Sequence, residues 1–283
     1  MTAGLLVTLL FGSALVAGFA GALTGLGGGV VLIPIMVLLF GIDLRYAVGA
    51  SLIAVIATSS GAAAAFIKEG YTNVRVGVLL EVATVLGAIA GAVIAASVSK
   101  DLIAVVFSLA LFWSAYTTLR PLKPLPPDTH PDRVSQYFRL DSEYPTKSPD
   151  GTPTMTAYRV HAVPGALAIM LGAGVLSALV GIGSGIVKVF AMDRLMRLPF
   201  KVSTTTSNFM IGVTAAASAG VYLHRGQIEP AIAAPIAVGA LGGSLIGARV
   251  LPRVKTLWLR RLFAVVVICA GVELLRRVLQ GGV

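Results

Sequence analysis

Apolar residues of this chain are gathered into ten stretches, which are separated by short polar or glycine-rich connections. A helix that crosses the hydrocarbon core of a bilayer needs about 20 predominantly apolar residues, and most of the stretches approach that length. The pattern therefore predicts an all-α integral membrane protein. The stretches are 5–23, 30–42, 47–67, 76–98, 102–119, 163–180, 186–198, 202–223, 232–250 and 258–275.

The second half of the chain repeats the first without gaps at an offset of 156 residues. Five stretches fall in each copy, and tandem copies of one hydrophobic unit are typical of secondary transporters. We therefore expect a first transmembrane repeat over 1–120, a linker over 121–160 and a second repeat over 161–283. The matched glycines are Gly25, Gly27, Gly29, Gly70, Gly87 and Gly91, which recur as Gly181, Gly183, Gly185, Gly226, Gly243 and Gly247.

The second stretch of each copy is too short to span a bilayer comfortably. A glycine cluster without charged residues joins it to the stretch before, so we interpret each pair as a broken-helix hairpin with its tip near the midplane. Whether the hairpins cross or re-enter stays open. The two alternatives give ten segments, or eight full spans plus re-entrant helices.

Composition agrees with a membrane protein, and the distribution of charge predicts how the chain is oriented in the membrane. The chain is 57% hydrophobic and 12% charged, with a mean hydropathy of +0.91, which excludes a soluble domain. Sixteen of the 22 Lys and Arg residues lie in the connections on one side, which the positive-inside rule makes cytoplasmic. Both termini then face outward, and two repeats with an odd number of segments are inverted. The net charge of +10 follows from this bias, so we expect no nucleic-acid partner.

The linker is the one polar region of any length. Alternating segments at 137–140 and 155–160 flank an Asp150-Gly151 pair, which is typical of a small β-hairpin on the cytoplasmic side. A disordered tether between the repeats is the alternative.

We expect a ligand to bind at the glycine clusters at 25–29 and 181–185. Irregular backbone at membrane depth must face protein, water or a ligand. The helices that begin after the clusters, at Val30 and Ile186, present free backbone NH groups to them, and glycine lets a small oxyanion approach. The alternative is that the glycines only allow close helix packing.

Two polar features complete the candidate site. Lys188 lies three residues past Gly185, inside an apolar stretch, where it is either the countercharge of an anion or a side chain that reaches the interface or an acidic partner. The run 203–208 consists of six hydroxyl or amide residues, some of which must face the protein interior. The first repeat has fewer hydroxyl residues in the corresponding region, and Ser51 is one of them.

Glu81 is the one carboxylate well inside an apolar stretch of the first repeat, where protonation can be coupled to transport. Because it lies only about a turn and a half past Arg75, we expect it at the cytoplasmic interface. We find no nucleophile, base and orienting group on one face, so we expect no enzyme activity. Three scattered histidines predict no metal site, and no cofactor is expected.

These residues carry a family resemblance. Gly25-Leu26-Gly27-Gly28-Gly29 followed by Pro34, and the recurring Gly181-Ile182-Gly183-Ser184-Gly185, resemble the TauE/SafE family of sulfite exporters, also called TSUP-type permeases. The resemblance spans nearly the whole chain except the linker. It implies movement of small sulfur-containing anions across the bacterial cytoplasmic membrane, mostly outward. The second copy departs from the pattern at Ser184, Lys188 and Phe190.

The combined interpretation is a secondary transporter that exports sulfite, sulfoacetate or another organosulfonate by alternating access. The alternative is an anion channel, or a permease for a different small anion. Expected partners are the small anion and membrane lipid, and a homodimer stays open. The residues predicted to bind the anion are Gly27, Gly28, Gly29, Gly183, Ser184, Gly185, Lys188, Thr204, Thr205, Thr206, Ser207, Asn208 and Ser51.

Overall fold

The computed structural model describes residues 3–94, 97–120, 132–147, 153–180 and 184–251, together with single helical positions between 261 and 279. Helices dominate, and one pair of strands lies between the two repeats. The helices are α1 (Ala3–Thr24), α2 (Gly29–Pro34), α3 (Leu44–Lys68), α4 (Val74–Ile94), α5 (Lys100–Leu119), α6 (Arg133–Tyr137), α7 (Val163–Val180), α8 (Gly185–Phe190), α9 (Phe200–His224) and α10 (Pro230–Val250). The strands are β1 (Ser142–Lys147) and β2 (Pro153–Tyr158).

Long apolar runs with defined start signals explain the main helices. The side chain of Asp43 caps α3 by accepting from the Arg45 backbone NH at 2.9 Å, and Pro230 opens α10. Four of the described helices are long and apolar enough to cross a membrane: Gly4–Thr24, Leu44–Lys68, Val74–Ile94 and Pro230–Val250. Helix α9 has 25 residues, but it carries the polar run at 203–208.

Among the described helices, those within residues 3–119 pack mainly against those within residues 163–250. Helix α1 lies along α10 and α4 lies along α7, while α3 contacts α9 and α10, and α4 also contacts α9. Glycines permit the two closest crossings. A Cβ on Gly87 would lie 2.0 Å from the Leu171 carbonyl oxygen, and a Cβ on Gly243 would lie 1.9 Å from that of Leu15. The two contacts are equivalent in the sequence repeat, because Gly243 lies 156 residues after Gly87 and Leu15 lies 156 residues before Leu171.

Each short helix after a glycine cluster widens into a π-helical turn, at Ile35–Leu39 after α2 and at Ala191–Leu195 after α8. The turns end alike. The Ile42 NH donates to the Met36 carbonyl at 3.0 Å, and the Leu198 NH donates to the Met192 carbonyl at 2.9 Å. The second stretch of each copy therefore consists of a short α-helix followed by one wide turn.

Strands β1 and β2 pair antiparallel, with Ser142 opposite Tyr158 and Lys147 opposite Pro153. The sequence pattern placed the first strand wrongly at 137–140. Tyr137 ends α6, and the chain turns before β1 begins because Arg139 adopts a left-handed conformation with φ of 50°. The buried side chains of Leu140 and Val160 join this unit to the core between α4, α7 and α9.

Asn73, between α3 and α4, ties this unit to the membrane helices. Its side chain donates to the Leu140 carbonyl at 2.8 Å and to the Tyr158 hydroxyl at 2.9 Å. Its backbone NH donates to the Thr206 hydroxyl at 3.0 Å. Asn73 therefore bonds both the linker and α9.

Candidate functional site

The two glycine clusters meet in the interior of the molecule. A Cβ on Gly185 would lie 2.4 Å from the Gly25 carbonyl oxygen and 2.7 Å from the Leu26 Cα, so the two turns touch through their backbones. Gly25 and Gly27 have φ values of 73° and 74°, which glycine adopts without strain. The N-terminal end of α8 therefore lies against the turn that joins α1 to α2, and we call this place the glycine junction and define it by residues 25–29 and 184–185.

The predicted glycine residues at this junction differ in their surroundings. A Cβ on Gly27 would lie 3.2 Å from a methyl of Val55, and a Cβ on Gly28 would lie 3.3 Å from the backbone of Ala17. Gly29 begins α2, and Ser184 precedes α8 in a left-handed conformation with φ of 51°. Gly183 lies outside the described residues. Close packing thus accounts for part of the glycine content, as the alternative interpretation of the clusters requires.

Ser207 bridges the two turns. Its hydroxyl is 2.8 Å from the Gly25 carbonyl oxygen and 3.3 Å from the Gly185 carbonyl oxygen, and the side chain is fully buried. A hydroxyl has one hydrogen to donate, so the two carbonyls share it. If the two turns move apart, the Ser207 hydroxyl can donate to the Gly25 carbonyl or to the Gly185 carbonyl.

Thr204 and Asn208 line the same junction. The Thr204 methyl and backbone lie against Gly25, and the Asn208 amide donates to the Ala22 carbonyl at 3.0 Å. Among the described residues, the Thr204 hydroxyl and the Asn208 Oδ1 are buried without a hydrogen-bond partner. Such groups cost about 1–3 kcal/mol each when unsatisfied, which favours a site for a polar ligand or water.

The remaining predicted hydroxyls are bonded elsewhere. Thr205 donates to the Tyr71 carbonyl at 2.8 Å, and Thr206 accepts from Asn73, so both hold the connection between α3 and α4. Ser51 donates to the Val48 carbonyl of its own helix at 2.8 Å. The structure brings Thr204, Ser207 and Asn208 to the junction and engages the other three in backbone contacts.

Lys188 is fully buried and paired with Glu81. Its Nζ lies 3.1 Å from Glu81 Oε2, and the Thr214 hydroxyl bonds both Lys188 Nζ and Glu81 Oε1. The Thr84 hydroxyl lies 3.3 Å from Glu81 Oε2. The acidic partner left open by the sequence pattern is therefore Glu81. Glu81, which we expect from the sequence at the cytoplasmic interface, is only 6% exposed within the protein.

Lys188 of the ion pair and the bonded Thr214 lie on α8 and α9, the two helices that contact each other at the glycine junction. The Lys188 backbone NH donates to the Ser184 carbonyl at 3.1 Å, so Lys188 lies one turn inside α8. Thr214 follows Ser207 by seven residues, or two turns, and so lies on the same face of α9. The pair joins α4 of the first repeat to α8 and α9 of the second. Chemically, it offers an anion a buried ammonium whose charge is already balanced by a carboxylate.

Sequence reasoning missed Glu81 and Thr214 as members of this site. The available signal was that two opposite charges, Glu81 and Lys188, each lie inside an apolar stretch. Ionisable residues in membrane helices usually face the bundle interior and pair with one another. A search of the apolar stretches for opposite charges would have found Glu81 as the partner of Lys188, but not Thr214.

Comparison with known proteins identifies relatives over nearly the full chain. Residues 10–274 match the family described as Sulfite exporter TauE/SafE. The chain is similar to the probable membrane transporter protein YunE of Bacillus subtilis (strain 168), with 25% identity over 268 residues, 92% of this chain and 94% of the relative. It is likewise similar to the probable membrane transporter protein YdhB of the same organism, with 25% identity over 246 residues, 87% of this chain and 89% of the relative. No solved structure matches the chain.

Proposed function

Because this chain belongs to the TauE/SafE family of multi-pass membrane transporters, we propose that it carries a small sulfur-containing anion, such as sulfite, sulfoacetate or another organosulfonate, out across the cytoplasmic membrane. The observation that carries this proposal is the glycine junction. The N-terminal end of α8 lies there together with the buried Thr204 hydroxyl, which has no hydrogen-bond partner among the described residues, and α8 carries the buried Lys188 one turn further on. Donors of this kind suit an oxyanion.

The proposed mechanism is alternating access between two inverted repeats. Its support is the mirrored packing of Gly87 on Leu171 and of Gly243 on Leu15, which is expected of two halves related by a pseudo-two-fold axis. Rocking of one half against the other would part the two turns. Ser207 can keep one of its two carbonyl partners in each state.

The proposed orientation places the linker in the cytoplasm and both termini outside. Its support is the bias of basic residues, to which Arg139 in the linker and the neighbouring Lys68, Arg75 and Lys201 belong. Arg75 donates to the Arg139 carbonyl at 2.9 Å, so the linker and the basic connection before α4 lie on the same side.

A thermal-shift screen of the detergent-solubilised protein tests the anion site. We expect one of sulfite, thiosulfate, sulfate, sulfoacetate, taurine and simple carboxylates to raise the melting temperature, because a ligand of the folded state stabilises by mass action. The shift should disappear in Lys188→Ala and persist in Lys68→Ala, whose lysine is exposed. A cooperative melt that no anion shifts would move the proposal to another substrate class.

Transport in proteoliposomes separates a carrier from an anion channel. A carrier exchanges labelled anion against unlabelled anion and accumulates it when another gradient supplies the energy. Dissipation of the anion gradient without accumulation would favour the channel.

A further inference from the structure

The ion pair makes the anion site electrically neutral before any substrate binds. Lys188 and Glu81 are 0% and 6% exposed, so neither charge is balanced by bulk water. An anion that takes the Lys188 ammonium as its partner must share it with the Glu81 carboxylate. The loaded site would then carry an excess negative charge in a poorly hydrated interior, which is strongly unfavourable.

We propose that Glu81 is a proton-binding site coupled to substrate, which takes up one proton when the anion pairs with Lys188 and gives it up when the anion leaves. The inference rests on the proposed anion transport and adds its coupling ion. The proton comes from the bulk solution as hydronium, through water that enters with the anion. One O–H bond of hydronium breaks and leaves a water molecule, a new O–H bond forms on a Glu81 carboxylate oxygen, and the site with the anion bound is neutral again.

The surroundings of Glu81 suit both of its states. The Thr214 and Thr84 hydroxyls contact the carboxylate, and a hydroxyl can donate to a carboxylate or accept from a carboxylic acid. Thr214 also contacts Lys188, so it can keep a hydrogen bond to the ammonium when Glu81 is protonated. Glu81 can therefore lose its charge while the Glu81 carboxyl group and the Lys188 ammonium each keep a hydrogen bond to Thr214.

Within the described residues, Lys188 is the charged group in contact with Glu81. Helix α7, which packs along α4, carries no charged residue. Helix α9 carries its titratable residues near its two ends, away from Thr214 in its middle: Lys201, Tyr222 and His224. The π-turn after α8 adds Asp193 and Arg194, more than one helical turn beyond Lys188. Protonation in this region is thus assigned to Glu81.

Coupling of one proton to one anion has a thermodynamic signature. For a singly charged anion the cycle moves no net charge, so the membrane potential does not drive it. A pH difference of one unit then supports about a tenfold difference in anion concentration at equilibrium. An acid exterior would slow export and drive uptake.

Proteoliposomes with a pH-sensitive dye inside and the potential clamped by potassium and valinomycin provide the test. Methanesulfonate is the probe, because it stays singly ionised across the assay range and carries no proton itself. We expect the wild type to move about one proton per anion. In Glu81→Gln, which mimics the neutral acid, the number of protons moved per transported anion should fall at least tenfold. Glu69→Gln, which changes an exposed carboxylate, should behave like the wild type.

A second measurement needs no variant. Calorimetric titration of methanesulfonate into the wild-type protein, in two buffers of different ionisation enthalpy, should report uptake of about one proton per bound anion. Anion transport or binding without proton uptake would overturn the coupling and leave the proposed function standing. Proton-coupled flux that survives in Glu81→Gln would remove Glu81 from the role. A wild type that neither binds nor moves any of the sulfur anions would overturn the proposed function and the coupling together.

Discussion

The two short helices that precede the π-helical turns are both six residues long and differ in chemistry. Helix α8 contains Lys188, which is paired with Glu81 and Thr214. At the equivalent positions, α2 has Leu32, with Ala237 and Thr58 in place of the carboxylate and the bonded hydroxyl. Leu32 is buried among apolar side chains. An ion pair therefore occupies one of two equivalent sets of positions, and the other set carries no charge.

The largest expected difference between the halves comes from removing each central side chain. Lys188→Met leaves the Glu81 carboxylate buried without its cation, which should lower the free energy of unfolding by about 3–5 kcal/mol. The mirror variant Leu32→Met conserves volume and should cost less than about 1.5 kcal/mol. Denaturant unfolding in detergent micelles measures both. Lys188→Met combined with Glu81→Gln should recover most of the loss, and equal losses in the two single variants would break the comparison.

A smaller difference is expected between the two threonines. Thr214→Val removes a hydroxyl that bonds both charged groups, and bonds to charged groups contribute about 1.5–3 kcal/mol. Thr58 is the mirror residue, and among the described residues its buried hydroxyl has no partner. Thr58→Val should therefore change stability by less than about 0.5 kcal/mol or increase it. A Thr58→Val loss as large as that of Thr214→Val, in the same unfolding assay, would contradict the contrast.

The glycine crossings should show no difference between the halves. A Cβ at Gly87 or at Gly243 would collide with a backbone carbonyl, so each change to alanine should cost about 1–3 kcal/mol through displaced helices. Gly242→Ala is the control, since no heavy atom lies within 4 Å of a Cβ there in the described structure. Melting curves of the three variants would sharpen the comparison. Unequal changes in melting temperature for Gly87→Ala and Gly243→Ala would mean that the two helix crossings contribute differently to stability.

The helices and the family were predictable from the sequence alone. The stretch 163–180 coincides with α7, and the other predicted bounds of the long described helices lie within about four residues of those observed. Such accuracy reflects the apolar runs, whose ends are set by charged, proline or capping residues. The family resemblance, which rests on the glycine clusters, is confirmed by the match over residues 10–274.

The pairing of Glu81 with Lys188 was less visible because 107 residues separate them. Local periodicity places each residue on a helix, but it does not say which helices meet. The repeat conceals the pair further, since Leu32 and Ala237 at the mirror positions are apolar. Similarly, alternation at 137–140 suggested a strand, whereas Arg139 turns the chain there.

The packing of α1 against α10 has a consequence for how the chain is made. These helices lie at opposite ends of the described structure, so α1 leaves the ribosome roughly 200 residues before its main neighbour, an interval of about 10–40 s at ordinary synthesis rates. During that time the apolar surface of α1, including the Leu15 backbone that later receives Gly243, must be covered by lipid or by the insertion machinery. Completion of the bundle is therefore a late, post-insertion event in the life of each molecule.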